Sequence, residues 1–166
     1  MILKDLKKDI TEIFEQVKRD TEKIIKKHRA GYRLGFVSMG IEYNKFVGII
    51  LHDKTVGGIT ILINIDPLNI LLEKQSSEII RAYTYHILLY GYISTLGFYD
   101  AEQCKRLTLE ISKNIFKDPQ HPAVVLATRG ADAAYFANLS SNADLKTEWQ
   151  IDWIDNFDKS SLSYYG

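Results

Sequence analysis

The chain has 166 residues, 46% hydrophobic and 25% charged, enough for one domain with a substantial core. Lys and Arg (21) balance Asp and Glu (21), which argues against a nucleic acid or an anionic membrane as direct partner. The single cysteine, Cys104, excludes an internal disulfide framework and, with a start that alternates Lys and Asp, leads to the expectation of a cytoplasmic protein without a leader. The longest apolar stretch, Ile79 to Leu96, is broken by Arg81, His86, Gly91 and several tyrosines, so no membrane span is expected.

Charge is uneven along the chain. Met1 to Leu34 carry ten Lys or Arg against six Asp or Glu, about +4, and Ala131 to Gly166 two against six, about −4. The two ends can attract each other, two copies can pair head to tail, or each surface can be solvated independently.

Leu6, Ile10, Ile13, Val17, Ile24 and Ile25 recur at helical spacing and predict a long helix from Leu3 to about His28, with Gly31 as its stop. Lys26, Lys27 and His28 suit the negative end of its dipole. "YRLGFVSM", "FVGIILHD" and "GITILINI" read as strands, the last two joined across "KTVGG", and predict a small, mainly antiparallel sheet. Pro67 is expected to end the third strand.

Ser76 and Ser77 are candidate N-caps of a helix running to Leu96 and stopped by Gly97. Asp100 is placed as the cap of a further helix, Ala101 to Phe116, and shorter helical pieces are expected at Ala123–Ala127 and Ala131–Ala137. From Asn138 the chain reads as an acidic tail whose Trp149, Trp153 and Phe157 recur every four residues, the spacing of one helix face that something must cover. The organisation is therefore α+β: one domain over residues 1–137, and a tail over 138–166 docked on that domain or on a partner.

In a zincin, two histidines one helical turn apart hold zinc and the glutamate after the first activates the bound water. "ITILIN", then "LLYGYISTLG", then "FYDAEQCKRLTLEIS" resembles the small archaeal zincin-like metallopeptidases of the gluzincin type, the minigluzincins. Their metal helix reads roughly "L-L-H-E-Y-L-H-x-L-G". The resemblance covers about Arg33 to Gly130 and rests on Leu88, Leu89, Tyr92, Leu96 and Gly97. It implies a zincin-like domain in which Tyr90 replaces the first histidine, Gly91 the glutamate and Ser94 the second histidine, with Asp100 and Glu102 near the place of the acidic third ligand.

A tyrosine, a serine and a carboxylate are poor zinc ligands, and no general base remains. The resemblance thus implies a pseudo-enzyme with no metal, no cofactor and no catalytic residue. It would work by binding protein: a partner, a second copy or its own tail, through Tyr92, Trp149, Trp153 and Phe157. In zincins an extended peptide commonly lies beside the edge strand next to the metal helix; here that edge is expected to be "GITILIN", above a floor of Tyr90, Tyr92 and Ser94. Two readings stand beside this one. One is an accessory subunit of a larger assembly, such as a ribosome- or polymerase-associated factor, meeting nucleic acid only indirectly. The other is a hydrolase with atypical ligands, for which His86 with His52 or His121 is a candidate unconventional set.

Overall fold

A computed structural model describes residues 1–40, 48–52, 58–130 and 150–158, with the backbone alone considered for 48–52. The expected helix at Ala131–Ala137 and Trp149 lie outside the described residues. The fold is α+β: α1 (Leu3–Ile25), β1 (Tyr32–Val37), β2 (Gly48–His52), β3 (Ile59–Asn64), α2 (Ile65–Lys74), α3 (Ser77–Ser94), α4 (Ala101–Phe116), α5 (Pro122–Arg129) and β4 (Asp152–Ile154). None of the described helices is long and apolar enough to cross a membrane.

The sheet is mixed: two of its three pairings are antiparallel, as expected, and one is parallel. Its order is β2-β3-β1-β4; β1 and β3 run parallel, in register from Tyr32 opposite Ile59 to Val37 opposite Asn64, while β2 and β4 pair antiparallel to β3 and β1. Turn residues between β2 and β3 gave the hairpin away, but the parallel contact between β1 and β3 joins strands that are not consecutive in sequence. Both parallel strands read as nearly continuous apolar runs, and all of β1 except Arg33 is buried, the composition of strands covered on both faces.

Local chemistry sets the element ends. α1 stops at Ile25, before the expected end near His28, because Lys26 turns into the left-handed region (φ 63°) and its N–H returns to Glu22 O. Pro67 does not end a strand; it lies in the first turn of α2, where a missing N–H costs nothing. Asn64, fully buried, caps that helix by accepting from Asp66 N–H, accepts from Met39 N–H at 3.0 Å and donates to Gly40 O at 2.8 Å. One amide thus ties together the carboxyl ends of β1 and β3. Ser76 caps α3 and Asp100 caps α4.

The core lies between α1, the sheet and α3. Leu6, Ile10, Phe14 and Val17 of α1 meet Ile80, Tyr83, Leu88 and Tyr92 of α3 and the inner face of the strands. Phe14 is its aromatic centre, edge-on to Tyr32 (centroids 5.2 Å) and Tyr92 (5.7 Å) and stacked on Phe157 (4.5 Å). α4 and α5 close the far side of α3.

Candidate functional site

Five positions implied by the resemblance sit where α3 ends and α4 begins. Tyr90 is half-buried on α3, and burial, followed by the charges of Cys104, Glu102 and Asp100, pushes its phenol above the ordinary value. The structure thus brings Tyr90 and the two exposed carboxylates of α4 into one electrostatic neighbourhood. Gly91 is buried and offers no side chain, while its carbonyl accepts the Ser94 hydroxyl at 2.7 Å. Cys104 is buried, donates its thiol to Phe98 O at 2.8 Å, and has its pKa raised by that burial.

This donor set does not fit zinc. The phenol of Tyr90 is held in its protonated form, the Ser94 hydroxyl is spent on its own helix, and the two carboxylates are hard, solvated ligands. Among the described residues, no group of three or more His, Cys, Asp or Glu stands together in a way that could hold a metal. The alternative histidines are also apart in role. His121 caps α5 by accepting from Ala123 N–H at 3.1 Å and stacks on Phe116 at 3.9 Å between centroids. His86 keeps a buried Nδ1 without a hydrogen-bond partner, and burial lowers its pKa to about 4. The side chain of His52 lies outside the described residues.

The expected groove is rearranged in two respects. "GITILIN" forms β3, which is interior to the sheet; the edge that approaches α3 is β2. Tyr92, expected on a groove floor, is fully buried. Its hydroxyl accepts the Arg29 N–H at 3.0 Å, its ring faces Phe14, and desolvation pushes its pKa up to about 12. The reason is helical geometry: Tyr92 lies two residues from Tyr90, so when Tyr90 faces α4, Tyr92 faces α1 and the sheet.

The tail also departs from expectation. Residues 152–154 are a strand rather than part of a helix, pairing Phe36 with Asp152, Gly35 with Trp153 and Leu34 with Ile154. Trp153 is 38% exposed beneath the Arg33 guanidinium (4.1 Å from the ring), and Phe157 is buried in the core. The four-residue spacing of the two rings thus reports an edge strand followed by a turn into the interior. Next to Phe157, Asp158 enters the protein: Oδ1 meets Lys18 Nζ at 2.5 Å, and Oδ2 accepts from Gly31 N–H (2.9 Å) and Tyr32 N–H (3.1 Å).

Sequence reasoning missed Lys18, Asp158 and Gly35. Lys18 had a visible signal, since it lies one turn after Phe14 on the apolar stripe of α1, and a lysine there needs a counter-charge. Comparison with family models, curated proteins and solved structures finds no match to the chain.

Proposed function

We propose that the chain is a zincin-like scaffold without peptidase chemistry, acting by binding an extended protein segment along the edge of β2 beside α3, an edge that no other described strand covers. The observation that supports this most is the chemistry at Tyr90, Gly91 and Ser94. A protonated phenol, a missing side chain and a hydroxyl turned back on its helix stand at the positions that the resemblance assigns to two ligands and a general base. Strand addition at β2 needs only backbone N–H and C=O groups, so it is independent of a metal. Among the described residues, the sheet order gives β2 one pairing neighbour, β3.

The accessory-subunit reading loses much of its support. It relied on a basic first helix and an acidic tail meeting different neighbours, yet Lys7 pairs with Asp152 and Lys18 with Asp158 inside one chain.

The scaffold reading is tested by restoring ligands. Tyr90→His with Ser94→His returns two imidazoles to one helix face, with Asp100 and Glu102 nearby. Stoichiometric zinc binding by the double variant, absent from the wild type, is expected. Equal zinc content in both proteins sinks the proposed descent, and peptide hydrolysis by the wild type sinks the inactive reading. Loss of amide exchange protection along Gly48–His52 relative to β3 is the further expectation for an edge open to a strand.

A further inference from the structure

A second surface lies where the loop from α3 into α4 meets the end of α1. We propose that Tyr99, with the cations Lys23, Lys26 and His28 beside it, docks an acidic segment of another protein. The contact is made by side chains and is separate in chemistry from strand addition at β2.

The loop presents Tyr99 without using it. α3 ends at Ser94, Gly97 turns the chain at φ 100°, and Asp100 caps α4. Tyr99 thus stands directly before an N-cap, where an apolar residue often packs on the fourth residue of the helix, here Cys104. Cys104 is instead buried with its thiol on Phe98 O, and Tyr99 is 86% exposed. The loop around it is braced. Lys27 Nζ lies 4.7 Å from the centre of the Phe98 ring and 3.4 Å from Leu96 O, and the Arg29 guanidinium donates to Thr95 O. An exposed aromatic on a braced loop loses little freedom on binding, the property of an interface anchor.

Charge defines the partner. From Glu22 to Arg29 the chain carries Lys23, Lys26, Lys27 and Arg29 against Glu22 alone. Lys27 and Arg29 are committed to the end of α3. Lys23, Lys26 and His28 are exposed, and among the described residues no carboxylate pairs with them. Lys23 sits in the last turn of α1, and Lys26 and His28 flank Lys27, so all three share the end of α1 that Lys27 ties to the loop. The acids on the other side of Tyr99 are occupied: Asp100 accepts Glu102 N–H as the cap of α4, and Glu102 faces Lys105 at 3.5 Å. The field beside Tyr99 is therefore positive toward α1 and selects carboxylates. A nucleic acid strand fits less well, because it asks for several stacking rings along a cationic track, and here Lys27 covers Phe98 and leaves Tyr99 alone.

The test selects binders of the full-length protein from a displayed library of random peptides, with excess unlabelled Tyr99→Ser protein as competitor. The competitor keeps β2 and removes peptides that bind along that edge. Enrichment of peptides rich in Asp and Glu is expected, and synthetic copies should bind the wild type at least about tenfold more tightly than Tyr99→Ser. Lys23→Glu/Lys26→Glu should weaken the same peptides by about tenfold or more and flatten their salt dependence. A selection without acidic enrichment, or acidic peptides that bind Tyr99→Ser as tightly as the wild type, overturns the proposal. A labelled single-stranded oligonucleotide is expected not to bind; binding that Tyr99→Ser abolishes would overturn the assignment to a protein partner. The urea midpoint of Tyr99→Ser should equal that of the wild type, since the ring is exposed. A lowered midpoint would make Tyr99 part of the fold and overturn the docking role.

Discussion

Asp158 and Lys18 meet at 2.5 Å with side chains 0% and 3% exposed, joining the last described residue of the chain to the middle of its first helix. A buried pair of this kind gives little net stability over an apolar pair, but removal of one member strands the other. Asp158→Ala is therefore expected to lower unfolding stability in urea by about 3–5 kcal/mol, at the lower end because Glu15 remains beside Lys18. The double variant Lys18→Met/Asp158→Leu should recover a large part of that loss. A double variant that loses the sum of the two single effects would show that the ion pair is not the coupling.

Gly35 and Trp153 face each other across the β1–β4 ladder. A methyl group at position 35 needs Ile151 to retreat by more than a side chain can give, so β4 itself must move. Gly35→Ala is expected to cost about 1–3 kcal/mol, the usual range for over-packing. It should also red-shift tryptophan emission as Trp153 loses Arg33 and the sheet. A variant as stable as wild type with unchanged emission would place the segment elsewhere in solution.

Much of the helical half was legible from periodicity and caps. Asp100 with Ala101–Phe116, and Ser76 at the head of α3, declare themselves because the N-cap side chain and the first turn are neighbours in sequence. The parallel contact of β1 with β3 and the strand form and register of residues 152–154 were not legible, because neither depends on adjacent residues. Tyr92 shows the same limit at the candidate site. Its place beside Tyr90 in the motif suggested a shared surface, whereas the 3.6-residue turn sends the two rings to opposite sides of α3. Charge was informative only in sum: the opposite excesses of the two ends were visible, but the pairing of Lys7 with Asp152 and Lys18 with Asp158 needed the fold.

Tyr90 and Tyr92 give a paired prediction. The Tyr92 hydroxyl is the acceptor for Arg29 N–H, and Arg29 in turn donates to Thr95 O at 3.1 Å, fixing the connection between α1 and β1 onto the end of α3. Tyr92→Phe leaves a partly buried donor without its acceptor and should cost about 1–2 kcal/mol. Tyr90 lies half-buried at the boundary with α4, so Tyr90→Phe is expected to change stability by no more than about 0.5 kcal/mol. Thermal or urea unfolding of the two variants side by side checks the contrast; a larger loss for Tyr90→Phe would give its phenol a structural role.

His86 supplies a pH dependence. Burial lowers its pKa from 6.5 to about 4, so the fold favours the neutral ring, whose Nδ1 has no partner. Above pH 6.5 the ring is neutral in both the folded and unfolded chain and the full stabilising contribution is present. As pH falls from 6.5 towards 4, the unfolded chain takes up the proton while the folded chain resists it, so stability declines through that window and levels below it. The contribution of this residue is at most about 3 kcal/mol. His86→Phe removes the titration, so the difference in unfolding free energy between wild type and variant should shift between pH 7 and pH 4, moving in the variant's favour as the solution is acidified. Titration of the ring by NMR should give a midpoint near 4. A midpoint near 6.5, with a pH-independent difference between the two proteins, would mean that water reaches the buried nitrogen.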